Sequence, residues 1–309
     1  MWFWIILLII AVIALLITGL SYLMFYFIFY RPKRSTKIPK DYVGTPHYVV
    51  SRAGMEVMKT LPSEDVYMTS SDGLKLHSYL FPVEENKKKF VLGIHGYKSY
   101  ARPEYGPYIE FYQSLGFNML LTDDRAHAPS EGKYIGFGVL DRRDCIEWAK
   151  YLVKTYGEDI EIILHGVSMG GATVLAASGE EDLPVQVKGI VSDCGFSSAW
   201  DALSYEMKAM AHMPVKPFLP KIEKICERKA GFNFHEYTPR EQVKKAKVPI
   251  LFVQGEKDCM VPAFMVHELY EACGSEQKRL LLVPEADHAE SIAFVPDEYH
   301  KNIRELFHI

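Results

Sequence analysis

"ILHGVSMGGA", Ile163 to Ala172, runs from a line of apolar residues into a cluster of glycines with a single serine between Gly166 and Gly170. The apolar run ending at Leu164 has the length and bounds of a buried strand, and "GGATVLAAS" after it forms a helix. A serine at such a strand-to-helix turn has the G-x-S-x-G form. Backbone segments come close together there, so glycines flank the serine and its hydroxyl is displayed at the sheet edge. A serine hydroxyl is a weak nucleophile until a base, itself oriented by an acid, takes its proton. The reading therefore turns on what else the chain brings to Ser168.

Outward from that turn the sequence alternates. Short apolar runs at Phe90 to Ile94, Phe117 to Leu121, Ile160 to Leu164, Gly189 to Val191, Ile250 to Val253 and Leu280 to Val283 are each followed by a segment of helical length or period. Strand, helix, strand, helix predicts a mostly parallel sheet covered on both faces. "VYMTSSDGLKLHSYLF" carries two β-like runs around Asp72-Gly73, a hairpin signal, and charged "EENKKK" divides it from "FVLGIHG". In "LDRRDCIEWAKYLVKTY", Leu140, Ile146, Trp148, Ala149, Leu152 and Val153 form the apolar stripe of a covering helix. Between Ser192 and "VPILFVQG" the connection is too long for this pattern, which predicts a helical cap insert over about 196–237.

Sheet logic wants the acid after a late strand and the histidine after the last one. "ILFVQGEKDCMVP" supplies Asp258 and "LLLVPEADHAES" supplies His288. Asp287 is a rival acid by composition, but it adjoins His288 and would have to fold back onto that ring.

In "GIHGY", "DDRAHAPSEG", "HGVSMGG", "GEKDCMVP" and "ADHAES", the chain from about Glu64 to its end resembles the α/β-hydrolase superfamily. Within it, the chain is similar to bacterial membrane-anchored serine hydrolases of the serine aminopeptidase and lysophospholipase-like branch. The resemblance implies Ser168 as nucleophile, His288 as general base and then acid, and Asp258 as the carboxylate that fixes the imidazole tautomer. Oxyanion donors would be the backbone amides of Met169 and, from the HG-x-like "His95-Gly96-Tyr97", of Tyr97. His95 is expected to be a loop residue, and Asp123, Arg125 and His127 to brace loops under the site. The family often has glycine where this chain has Ala126 and Ala128. His165 and His267 read as ordinary histidines.

Composition bounds the rest. A length of 309 residues with 49% hydrophobic content suits an enzyme-sized body, and a net charge of −4 gives no reason to expect a nucleic-acid partner. Five scattered cysteines without a CxxC pair argue against a disulfide framework or zinc site, and absence of HExxH or GK[ST] endings leaves no metal and no cofactor expected.

Trp2 to Tyr30 holds no charge, and as a helix of roughly 43 Å it exceeds the roughly 30 Å hydrocarbon core. Aromatic residues at both ends resemble interface anchors, so residues 1–30 are expected to be an uncleaved span, 31–62 a juxtamembrane linker with one short helix around Met55, and 63–309 the hydrolase domain. Arg31, Lys33, Arg34, Lys37 and Lys40 follow the span, which by the positive-inside rule puts the body on the cytoplasmic side.

The expected activity is cleavage of a carboxylic ester, acyl or lipid-like, through an acyl-enzyme on Ser168. Methionines in the insert (Met207, Met210, Met213) could line a lid for acyl chains or merely pack it down. One alternative is a serine aminopeptidase, with Glu206, Glu223 or Glu227 receiving the substrate's amine. The other is a non-catalytic membrane-tethered scaffold.

Overall fold

The structure, a computed structural model, describes residues 1–31, 43–83, 87–127 and 129–309. Lys33, Arg34, Lys37 and Lys40, Ala128 and part of "EENKKK" lie outside the described residues. The chain opens with helix α1 (Trp2–Phe29) and helix α2 (Pro46–Met58), the latter entered through Thr45, whose hydroxyl accepts the Tyr48 N–H. Strands β1 (Glu64–Thr69) and β2 (Lys75–Phe81) then form the expected hairpin, with Gly73 at φ 86 in its turn.

Alternation follows as the apolar runs predict: β3 (Lys89–Ile94), α3 (Ala101–Tyr105) and α4 (Ile109–Ser114), β4 (Asn118–Asp123), α5 (Asp141–Tyr156), β5 (Glu161–Val167), α6 (Met169–Ala177) and β6 (Val187–Asp193). Helices α7 (Ala199–Ala209), α8 (Val215–Ala230) and α9 (Pro239–Val243) occupy the long connection. Strand β7 (Ile250–Gly255), α10 (Phe264–Ala272), β8 (Lys278–Val283), α11 (Ser291–Phe294) and α12 (Pro296–Phe307) complete the chain.

The eight strands lie in the order β1-β2-β4-β3-β5-β6-β7-β8, antiparallel across β1/β2 and β2/β4 and parallel across the rest. Each parallel strand has an apolar stretch because both its faces are covered there. Phe90, Leu92 and Ile94 of β3 join one core with Ile162 and Leu164 of β5, under Trp148 and Leu152 of α5. Their neighbours Val91 and Ile163 point into the opposite core, closed by Tyr299, Ile303 and Leu306 of α12. The two-residue period thus sorts one apolar run into two layers. From β3 the chain passes to β4 on one side and, later, to β5 on the other, so a crevice opens at the carboxyl ends of β3 and β5.

The helix expected around Met55 is 13 residues long and packed on the body. His47 Nδ1 lies 2.7 Å from the Ala289 carbonyl, and the Ser51 hydroxyl donates to the Pro103 carbonyl. Helix α1 is exposed over residues 2–16, but Ser21, Phe25 and Phe29 are buried. Its last turns pack against α8 in a third cluster, where Phe29 meets the rings of Phe137, Phe232 and Phe234. Met207 and Leu219 belong to that cluster, so Met207 packs the insert down, while Met210 is exposed.

Candidate active site

Strand β5 ends at Val167 and α6 begins at Met169, leaving Ser168 alone at the bend with φ 56 and ψ −116. A non-glycine residue held there is strained, and the surroundings show what enforces it. A Cβ on Gly170 would overlap the Ile94 carbonyl, and one on Gly166 would overlap the Gly170 carbonyl. The flanking glycines are therefore dictated by backbone approaching backbone. The Ser168 N–H donates to the Asp193 carbonyl at 2.8 Å, pinning the bend to β6.

The structure brings the three residues of the expected triad together. Ser168 Oγ lies 2.8 Å from His288 Nε2, and His288 Nδ1 lies 2.8 Å from Asp258 Oδ2. Since a carboxylate accepts only, Nδ1 carries the proton and Nε2 offers its lone pair to the serine hydroxyl. Asp258 is buried and each of its oxygens accepts twice: Oδ1 from the N–H groups of Met260 and Val261 (2.9 and 2.8 Å), Oδ2 from Gln254 Nε2 (2.9 Å) and from His288. Asp287 is differently employed. Its Oδ1 accepts the backbone N–H groups of Cys259 and His288, so it braces the two loops against each other.

Burial opposes protonation of the His288 imidazole, yet Cys194 and Asp258 beside it push its pKa well above the ordinary value. Of those two, Asp258 is the effective partner near neutrality, because burial pushes the Cys194 thiol up to about 12 and leaves it uncharged. Sulfur, carboxylate oxygen and ring nitrogen of Cys194, Asp258 and His288 lie within 4.8 Å of one another. Both imidazole nitrogens already face a partner, so this trio is better made for proton transfer than for holding a metal.

Met169 is the first residue of α6, whose leading N–H groups have no intrahelical carbonyl. Tyr97 lies in the turn after β3. The next residue back, Gly96, sits so near that a Cβ on it would be 3.2 Å from the Ser168 Cβ. Both expected oxyanion amides thus belong to segments that border Ser168. His95 is buried, with Nε2 accepting the Asp124 N–H at 3.1 Å, and His127 Nε2 accepts the Lys98 N–H at 3.1 Å, so both act in loop architecture. Arg125 reaches Asp144 (2.6 Å) and Asp72 (2.9 Å), and Asp123 reaches His77 (2.8 Å). His165 is buried between Tyr112 and Tyr299, and His267 is exposed. Ala126 adopts φ 61, the conformation that glycine would take without strain.

Ser168 and His288 open into a cavity of about 770 Å³, a size suited to a small-molecule substrate. Met169, Phe137, Phe196, Met260 and Val261 give it apolar walls, and Glu206 alone of the three insert glutamates lines it. Glu223 instead accepts the Phe234 N–H, and Glu227 is exposed. Sequence reading did not place Arg31, Lys98 or α2 at this cavity. Arg31 and Lys98 stand 67 positions apart in the chain, and no periodicity links them.

The sequence profile of the prolyl oligopeptidase family matches residues 137–305. The Bacillus subtilis protein YqkD is 27% identical over 64% of this chain and 65% of its own length. The Saccharomyces cerevisiae membrane protein YNL320W is 27% identical over 63% of this chain and 62% of its own. The matched part therefore spans just under two thirds of either relative. Among solved structures, the Pyrococcus furiosus esterase Pf2001 superposes with a TM-score of 0.67 at 24% identity, covering 91% of this chain and 97% of the esterase. That likeness is one of fold, the α/β-hydrolase fold.

Proposed function

The chain belongs to the prolyl oligopeptidase family, and from that premise we propose that it is a membrane-held serine hydrolase cleaving carboxylic esters, acyl or lipid-like, through an acyl-enzyme on Ser168. The observation that carries the reading is the unbroken relay from Asp258 Oδ2 through His288 to Ser168 Oγ, with both gaps at 2.8 Å and the serine facing an apolar cavity.

In this reading the ester carbonyl lies over Ser168 while His288 Nε2 takes the hydroxyl proton and Oγ forms the new C–O bond. Negative charge moves to the carbonyl oxygen, which the Tyr97 and Met169 amides receive. Each such donor is worth about 2.7–4 kcal/mol in the transition state. The proton on Nε2 passes to the leaving alkoxide, and the ester C–O bond breaks. Water then repeats the sequence on the acyl-enzyme. Asp258 holds Nδ1–H and stabilises the imidazolium formed in each half-reaction.

Helix α1, 28 residues with mean hydropathy 3.0 over its most apolar window, is long and apolar enough to cross a bilayer. It would hold the body at the membrane surface, with the body on the cytoplasmic side by the charges that follow the span. Fluorophosphonate labelling of the membrane fraction tests the core of the proposal: label on the wild-type protein that vanishes in Ser168→Ala is expected. A folded wild type that neither labels nor turns over p-nitrophenyl esters would overturn it and favour a scaffold.

A second reading, aminopeptidase action on short peptides, is favoured by Glu206, a carboxyl within the cavity that could receive a terminal amine. Turnover of aminoacyl anilides in preference to esters would select it.

A further inference from the structure

The same cavity holds two cations that form no ion pair within 4.0 Å among the described residues. Arg31 stands two residues past the end of α1, after Tyr30. Its backbone N–H donates to the Lys133 carbonyl at 2.9 Å and one guanidinium nitrogen, Nη2, to the Tyr100 hydroxyl at 3.1 Å. The other terminal nitrogen, Nη1, is shielded from solvent and has no partner among the described residues. Lys98 comes one residue after Tyr97, at φ 55. Its ammonium donates to the Phe27 carbonyl at 3.1 Å and lies 4.8 and 4.7 Å from the ring centres of Phe27 and Tyr97. Burial, and then the Arg31 charge, hold its pKa below the ordinary lysine value. Withdrawing two like charges from water into one cavity is costly, and proteins ordinarily offset it with a counter-ion.

No carboxyl of the cavity lies within 4.0 Å of either cation among the described residues. Glu104 Oε1 faces His47 Nε2 at 3.8 Å, Asp287 accepts backbone N–H groups, and Glu290 accepts the Asp287 N–H at 3.3 Å. Glu206 lies beyond ion-pair distance of either cation; burial pushes its pKa upward, while His288 and Lys98 pull it down from a distance and Glu206 in turn partly supports the Lys98 charge. Arg52, on α2, adds a third positive charge at the rim.

We propose that Arg31 and Lys98 form the binding site for a phosphate group carried by the ester that Ser168 cleaves. The proposal rests on the ester reading above and specifies its substrate as an anionic, phosphate-bearing acyl ester. The unpartnered Nη1 donors of Arg31 and the mobile donors of a lysine suit a tetrahedral group with several acceptor oxygens. A phosphate monoester, at about −1.5 to −2, also matches two cations better than a single carboxylate does. The acyl chain would lie along the apolar walls formed by Phe137, Phe196 and Val261. Arg31 is the first charged residue after the apolar helix, so its charge would stand at headgroup depth.

The test uses the full chain in neutral detergent micelles, comparing kcat/KM for a monoacylglycerol 3-phosphate and a monoacylglycerol of the same acyl chain. A preference of at least about ten-fold for the phosphate ester is expected, expressed in KM, and Arg31→Gln and Lys98→Gln should each lower the ratio about ten-fold. Arg31→Lys should keep more of it than Arg31→Gln. A wild-type ratio near one, or variants that slow both esters equally, would overturn the phosphate site while leaving the ester reading intact. A preference that arises only when anionic phospholipid vesicles replace neutral micelles would assign the cations to the bilayer and also overturn it. Hydrolysis of neither ester would count against the ester reading, so binding is read separately in the Ser168→Ala protein. That protein should bind glycerol 3-phosphate and not glycerol, with binding lost on adding Arg31→Gln, and no binding refutes the site whatever the chemistry.

Discussion

The carboxyl edge of β5 and the seam between α1 and the insert lie side by side, yet they are built on opposite terms. At the β5 edge the triad is held by directional bonds, with Asp258 accepting four hydrogen bonds and His288 spanning two neighbours, although Ser192 Oγ, Asp193 Oδ1 and Gln254 Oε1 around it have no partner among the described residues. The seam is held by aromatic rings, Phe29 meeting Phe137, Phe232 and Phe234, and leaves Arg31 Nη1 without a partner among the described residues. Geometry at the edge is fixed by directional bonds, so a small change there should cost chemistry and little stability. The seam is fixed by volume, and a change there should cost stability first.

The sharpest way to break this contrast is Ser168→Ala. Ester turnover should fall by at least about four orders of magnitude while the melting temperature stays put. A large drop in melting temperature would show that the edge is structural as well. Asp258→Asn should cost about ten-thousand-fold in kcat by turning the imidazole to the wrong tautomer, again in a folded protein. On the other side, Phe29→Ala empties a fully buried site, and unfolding of the full chain in detergent should register a loss of about 3–5 kcal/mol.

In the proposed mechanism neutral His288 is the working form, and its pKa is raised above 6.5, so kcat/KM should fall as pH drops through a midpoint above 6.5. A midpoint below 6.5 would contradict the stated role of Asp258. The smallest effect is expected at Ala126, where glycine would relieve φ 61. Ala126→Gly should raise stability by about 1 kcal/mol in chemical denaturation, and a loss would mean the methyl packing outweighs the strain.

What could be read in advance follows the same division. The G-x-S-x-G bend, the apolar runs and the loops carrying Asp258 and His288 are local patterns, in which each residue's reason lies within a few positions of it. Even there the strand order was not legible, since insertion of β4 between β2 and β3 depends on pairing across the chain. The seam is non-local throughout. Nothing around Phe25 or Phe29 says that α8 will cover them, because an apolar helix end looks the same whether lipid or protein surrounds it. Likewise Thr45 to Met58 shows as a modest amphipathic stretch, and only the contact of His47 with Ala289 reveals that α2 buttresses the loop following His288.

Tyr97 donates its hydroxyl to the Ile28 carbonyl, and Lys98 its ammonium to that of Phe27. With the helix end clamped in this way to the loop beside Ser168, an enzyme inserted by α1 would have no freedom to swing on a leash. Its orientation and height would be set once, and the quantity governing its rate would be the number of substrate molecules per unit area of membrane. Diluting that substrate with inert lipid would then slow it as effectively as removing substrate from the bulk.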